Sequence, residues 1–157
     1  MKISRILIPV DFTDCSEKAV EYGRTMSKTC GNDTEFFLLH VVDAKTTESI
    51  ATFVKEPVSK VRDRIISQTI QSFRKFVKRC DATEVVKDTI VSYGQPFQEI
   101  AIKARELQVD LIIMGGYGSG GRGQIDEIFF GSTVEKVVRL LPCPVLCVPM
   151  GWPPEEY

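Results

Sequence analysis

Short, largely apolar runs separated by stretches of helical period limit this chain most severely. Ile6-Leu7-Ile8-Pro9-Val10, Glu35 to Val42, Leu111-Ile112-Ile113-Met114 and Val145-Leu146-Cys147-Val148 are such runs. Apolar residues without alternation predict strands covered on both faces, the habit of parallel sheets. Between the first two, Asp14 to Glu17 offers an acidic cap, Ala19, Tyr22, Met26 and Cys30 recur at helical spacing, and Gly31-Asn32 stops the pattern. Val58 to Cys80 predicts a long amphipathic helix whose stripe is Ile66, Ile70, Phe73, Val77 and Cys80. Its basic residues Arg74, Lys75, Lys78 and Arg79 lie largely off that stripe and read as a solvated face. The stretch from Asp43 to Pro57 is polar and reads as a long loop with at most a helical turn.

Val85 to Val91 reads as a third strand, and Gly94-Gln95-Pro96 places proline at a helix N-terminus. Phe97, Ile100, Ala101, Ala104 and Leu107 form that helix's buried side. Ser132-Thr133-Val134-Glu135 has the form of a capping box opening a helix through Leu141, which Pro142-Cys143-Pro144 breaks. Strands alternating with helices predict βαβ units, and right-handed crossovers then favour an α/β fold: an open five-stranded parallel sheet with helices on both faces. At 157 residues the chain suits one domain over 1–150 with a tail at 151–157. Ligands of such folds lie beyond the carboxyl ends of the strands, where strand order reverses. The positions that matter are therefore Asp11, Val41 to Asp43, Tyr93 and Gly115 onward.

Composition narrows the function classes. Lys plus Arg number 20 and Asp plus Glu 21, a net charge of -1. This argues against a nucleic-acid footprint or a polybasic membrane surface. No apolar run approaches the roughly 20 residues of a membrane span. Met1 to Arg5 leads into the first strand without a small-residue cleavage site, so a cytoplasmic protein is expected. Five widely spaced cysteines and no CxxC suit free thiols that pack, with metal or redox work the alternative. His40, the only histidine, ends an apolar strand. It reads first as a structural residue and second as a general base.

The segment Met114 to Gly123 holds six of the eleven glycines and leaves the end of a buried strand. Eight residues later, Gly131-Ser132 opens a helix. Glycines let backbone N–H groups approach an anion, a helix N-terminus favours it, Ser132 can donate its hydroxyl and Arg122 can add a charge-assisted contact. A flexible loop before an ordinary capped helix is the alternative. Gly118 and Gly123 are followed by Gln124-Ile125, so the segment is not a Walker A loop. Gly116-x-Gly118-x-x-Gly121 matches a dinucleotide fingerprint only as any glycine cluster can.

Taken together, Ile6 to Phe12, Leu39 to Asp43, Gly94-Gln95-Pro96, Asp110 to Gly115, Phe130 to Val137 and Cys143 to Leu146 resemble, in order and spacing, the universal stress protein family. The resemblance implies strand order 3-2-1-4-5 and, for the ATP-binding branch, the pattern Gly-x2-Gly-x9-Gly-Ser/Thr. Gly118, Gly121 and Gly131-Ser132 fit that spacing directly. Gly115 and Gly118 fit the strand position better, with three extra residues before Gly131 and Tyr117 where histidine is common. The resemblance implies that Asp11 holds the adenosine end beside Pro9 and Val10, with helix capping the alternative for Asp11. Val41 would offer backbone hydrogen bonds to adenine, and Met114 would cover it. Gly115, Gly118, Gly131, Ser132 and Thr133 would take ribose and phosphates. Tyr117, Gly121 and Arg122 complete the expected set. The implied function is a stress-response or signalling module that binds ATP or AMP with magnesium and acts as a homodimer through Val145–Val148. A slow ATP hydrolase and a ligand-free interaction module are the alternatives.

Overall fold

A computed structural model of the protein describes residues 3–30, 34–116, 131–140 and 142–152. Strands Arg5–Pro9 (β1), Glu35–Asp43 (β2), Val86–Gly94 (β3), Leu111–Gly115 (β4) and Val145–Val148 (β5) form one parallel sheet in the order β3-β2-β1-β4-β5. Helices Asp14–Cys30 (α1), Ala44–Val54 (α2), Val58–Arg79 (α3), Pro96–Glu106 (α4) and Ser132–Leu140 (α5) complete the described elements. β1 is central, pairing Pro9 with Leu39 on one side and Leu7 with Ile112 on the other. Strand order reverses there.

The apolar strands are covered on both faces, as their composition predicts. Ile6, Ile8, Phe36, Leu38, Leu111 and Ile113 pack with Ala19 and Val20 of α1 and Phe73 and Phe76 of α3. Leu7, Leu39, Ile112 and Met114 turn to the opposite face, against Ile100 and Ala104 of α4 and Val134 and Val137 of α5. The period-two alternation of a strand sorts one continuous run onto two cores. Among the described residues no helix is long and apolar enough to cross a membrane.

Several elements differ from the expectation. The segment after β2 is a helix, α2, rather than a loop. Asp43 caps it, its carboxylate accepting from the Thr46 N–H at 2.9 Å and from the Thr46 hydroxyl. Only Thr47 and Ala51 are buried, so α2 shows one narrow face of small residues and no apolar stripe. Its stop is equally hidden, because Lys55 rather than glycine takes the left-handed conformation at φ 55°. On α3 the buried stripe is Val61, Thr69, Phe73 and Phe76, and Ile70 is 46% exposed. Thr69 and Phe76 are buried where Ile70 and Val77 were expected, a shift of one position on either side of the shared Phe73. β3 runs three residues beyond Val91. The cap residues also shift by one. Thr13, not Asp14, supplies the carbonyl for the first bond of α1, from Glu17 at 3.1 Å. Gly131, not Ser132, does so for α5, accepting from the Glu135 N–H at 3.1 Å.

Candidate functional site

The turn from β1 into α1 is heavily braced at the strand-end rim. The Val10 N–H extends the ladder by donating to the Leu39 carbonyl at 2.8 Å. Asp11 then leaves the sheet with its side chain exposed. Its Oδ1 accepts from the Ser16 hydroxyl at 2.6 Å, from the Thr13 N–H at 3.2 Å and from the Thr13 hydroxyl. Ser16, buried in the first turn of α1, accepts in return from the Asp11 N–H at 2.9 Å. The exchange fixes the carboxylate at the rim while leaving it open to solvent. Phe12 reverses the chain at φ 65°, a left-handed conformation that a bulky residue adopts only when held.

Phe12 is held by rings. His40 stacks on it with centroids 4.7 Å apart, and Phe73 and Phe76 meet it edge-on at 5.2 and 5.5 Å. The Phe12 carbonyl accepts from Arg79 Nη2 at 3.2 Å, and Arg79 also pairs with Glu17. One member of the basic cluster thus braces the turn. His40 Nδ1 lies 2.8 Å from the Val10 carbonyl oxygen. A carbonyl only accepts, so Nδ1 carries the proton. Burial holds the imidazole below its ordinary 6.5, opposed by the bond to Val10 and by the Asp11 carboxylate.

The second arm of the rim joins β4 to α5. Gly115 packs directly onto the first turn of α1. A Cβ there would stand 2.4 Å from the Cys15 carbonyl oxygen, so any side chain would displace backbone. The Gly116 N–H donates to the Val148 carbonyl at 2.8 Å, and the Gly116 carbonyl accepts from the Gly131 N–H at 3.3 Å. That bond sets the start of α5 beside the end of β4. The first N–H groups of a helix have no intrahelical acceptor, so Ser132 and Thr133 open α5 with donors and a positive dipole end.

Of the expected site residues, the structure gathers Pro9, Val10, Asp11, Val41, Met114, Gly115, Gly131, Ser132 and Thr133 at the carboxyl rim of the central strands. Val41 lies two residues beyond the Leu39 partner of Pro9, and Met114 is 5% exposed on the same face of the sheet as Val41. Tyr117, Gly118, Gly121 and Arg122 lie outside the described residues. Phe12, Thr13, Ser16, Cys15 and Arg79 escaped the reading of the chain, because their roles depend on the Phe12 turn. Asp43 is committed to capping α2. A cavity of about 380 Å³ lies elsewhere, between α3 and the amino end of β3, lined by Phe73, Val77 and Val86 among others. Burial pushes the Cys80 thiol up to about 11 and raises Cys143 and Cys147 as well, which suits cysteines that pack. Among the described residues no cluster of three His, Cys, Asp or Glu side chains could hold a metal.

Comparison with known proteins agrees with this fold. The model of the universal stress protein family matches residues 2–149. Universal stress protein MJ0577 of Methanocaldococcus jannaschii is 30% identical over 157 residues, spanning 92% of this chain and 93% of its own. The solved structure of MJ0577 superposes with a TM-score of 0.77 at 27% identity, over 95% of this chain and 97% of that one. Two universal stress proteins share the fold at 16% identity, one in complex with cAMP (TM-score 0.63, 96% and 99% covered) and one from Archaeoglobus fulgidus in complex with dAMP (TM-score 0.63, 94% and 99% covered). With the sheet order and a family match over nearly its whole length in agreement, this chain belongs to the universal stress protein family.

Proposed function

We propose that the protein is a stress-response or signalling module that binds an adenine nucleotide, ATP or AMP, at the carboxyl rim of β1, β2 and β4. The observation that carries this reading is the Gly131–Gly116 hydrogen bond. It sets a helix N-terminus beside Gly115, which itself rests on the first turn of α1 behind Asp11. An anion-binding helix end and an exposed, pre-oriented carboxylate then share one rim, as a ligand with phosphates at one end and ribose hydroxyls at the other requires. The complexes of same-fold proteins with cAMP and dAMP support the adenine class.

Asp11 is the acceptor for the ribose hydroxyls, and the Val41 backbone meets the adenine edge. Pro9, Val10 and Met114 form apolar walls. Gly115, Gly131, Ser132 and Thr133 supply phosphate donors, with Tyr117, Gly118, Gly121 and Arg122 from the glycine segment. Magnesium would ride on the phosphates, since the described side chains offer it no cage. The active form is a homodimer paired through Val145–Val148, in a cytoplasmic setting. Calorimetric titration tests the ligand class directly: ATP gives saturable heat and GTP much less. Absence of heat and of any thermal shift at millimolar ATP overturns the reading. Rapid phosphate release that His40→Ala abolishes would replace it with a hydrolase.

A further inference from the structure

We propose that His40 is the positioning residue of the adenosine end, acting through its bond to the Val10 carbonyl without touching the ligand. The inference rests on the nucleotide reading above and adds to it the residue that shapes the rim. The geometry carries the argument. His40 lies on β2 beside Val41, and alternation sends its ring to the opposite face of the sheet, where Phe12, Phe73 and Phe76 gather. From there Nδ1 reaches the Val10 carbonyl at 2.8 Å. That carbonyl belongs to the peptide that delivers Asp11, and the same imidazole stacks on Phe12, the residue after it.

One side chain therefore grips the chain immediately before and after Asp11. Phe12 sits at φ 65°, a conformation that persists only where neighbours over-determine it. Beside Phe73, Phe76 and Arg79, His40 supplies two distinct contacts, a donor on Val10 and a ring on Phe12. They are separable by substitution. His40→Phe keeps a ring to stack on Phe12 and removes the donor. His40→Asn keeps an N–H donor near the position of Nδ1 and removes the ring.

If the donor positions the rim, the orders of stability and affinity cross. His40→Phe melts near the wild-type temperature yet binds AMP and ATP about tenfold more weakly, the upper scale of one lost hydrogen bond. The loss is equal for both ligands because they share the adenosine. His40→Asn melts lower but stays within about threefold of wild-type affinity at a temperature where it is folded. Nitrogen-15 NMR of the imidazole, without any ligand, shows Nδ1 protonated and Nε2 bare at neutral pH. Wild-type protein that binds neither nucleotide removes the nucleotide reading and this one with it. Wild-type binding that His40→Phe leaves unchanged, a loss that grows with the number of phosphates, affinities that simply follow melting temperature, or an Nε2-protonated ring each overturns the positioning role alone.

Discussion

Gly115 shows how a residue with no side chain can decide the geometry of a rim. Its expected place is against a ligand, yet the contact that requires glycine is internal, with the Cys15 backbone 2.4 Å from where a Cβ would stand. Gly115→Ala should destabilise the protein by about 1–3 kcal/mol, the scale of overpacking, since the neighbour is backbone and cannot swing away. Gly116→Ala should cost less, because its nearest neighbour stands at 3.3 Å. Urea titration of both variants measures the difference. His40 carries the pH dependence at this scale. Its folded pKa is lowered from 6.5, so the unfolded chain takes up the proton first. Its contribution to stability is therefore complete above pH 6.5 and declines as pH falls from there through the folded pKa. Denaturation at pH 7 and pH 5 should show that decline in the wild type and a smaller one in His40→Phe. Asp110 acts in a lower window. Its carboxylate accepts from the Ser4 and Arg5 N–H groups, which hold it below its ordinary 3.8, so its contribution fades only as pH falls below that value.

At the scale of elements, α2 tests the capping argument most cleanly. Asp43 ends β2 and starts α2, and its carboxylate is the only side-chain cap among the helices for which cap geometry is described. Asp43→Ala should cost about 1 kcal/mol, the usual loss of an N-cap, with a matching drop in melting temperature. The same helix marks where reading the chain stopped being informative. β1, β2, β4 and β5 are legible because central or covered strands need apolar residues throughout. β3 forms an edge; its start, with exposed Lys87, Asp88 and Thr89, was legible within Val85 to Val91, and its polar end, Ser92-Tyr93-Gly94, was not. α2 buries two small residues and stops at a lysine in a glycine's conformation, so neither its period nor its end is written in apolar residues. The site divides in the same way. Asp11 and Val41 are legible as strand-end positions, which follow from the fold, whereas Met114 enters only through the family resemblance. Thr13, Ser16 and Arg79 are not, because the Phe12 reversal that brings them to Asp11 has no compositional signal.

At the scale of the whole molecule, β5 ends the sheet among the described residues, which makes it the candidate strand for pairing with a second copy. The carbonyls of Pro144 and Val148 face β4, accepting from Ile112 and Gly116, so by alternation Val145 and Cys147 turn their backbone groups outward. Leu146 packs into its own core, which makes its side chain a poor probe of pairing. Cys147→Pro is the better one, since it removes an outward donor and leaves the β4 ladder bonded. Sedimentation should show a dimer for the wild type at tens of micromolar and dissociation in Cys147→Pro. A wild-type monomer there contradicts the pairing. Trp152 packs edge-on against Tyr22 of its own α1, with centroids 4.9 Å apart.

The central claim is that an adenine nucleotide lies across the carboxyl rim of β1, β2 and β4 with its phosphates at the start of α5. Hydrogen exchange of the full chain, with and without saturating ATP, tests it most directly. The account predicts slowed exchange concentrated at Val10 to Thr13, Val41 to Asp43, Met114 to Gly116 and Gly131 to Val134, with AMP slowing the first three but less of the last. Protection centred on the cavity between α3 and β3, or none at saturating ATP, would contradict it.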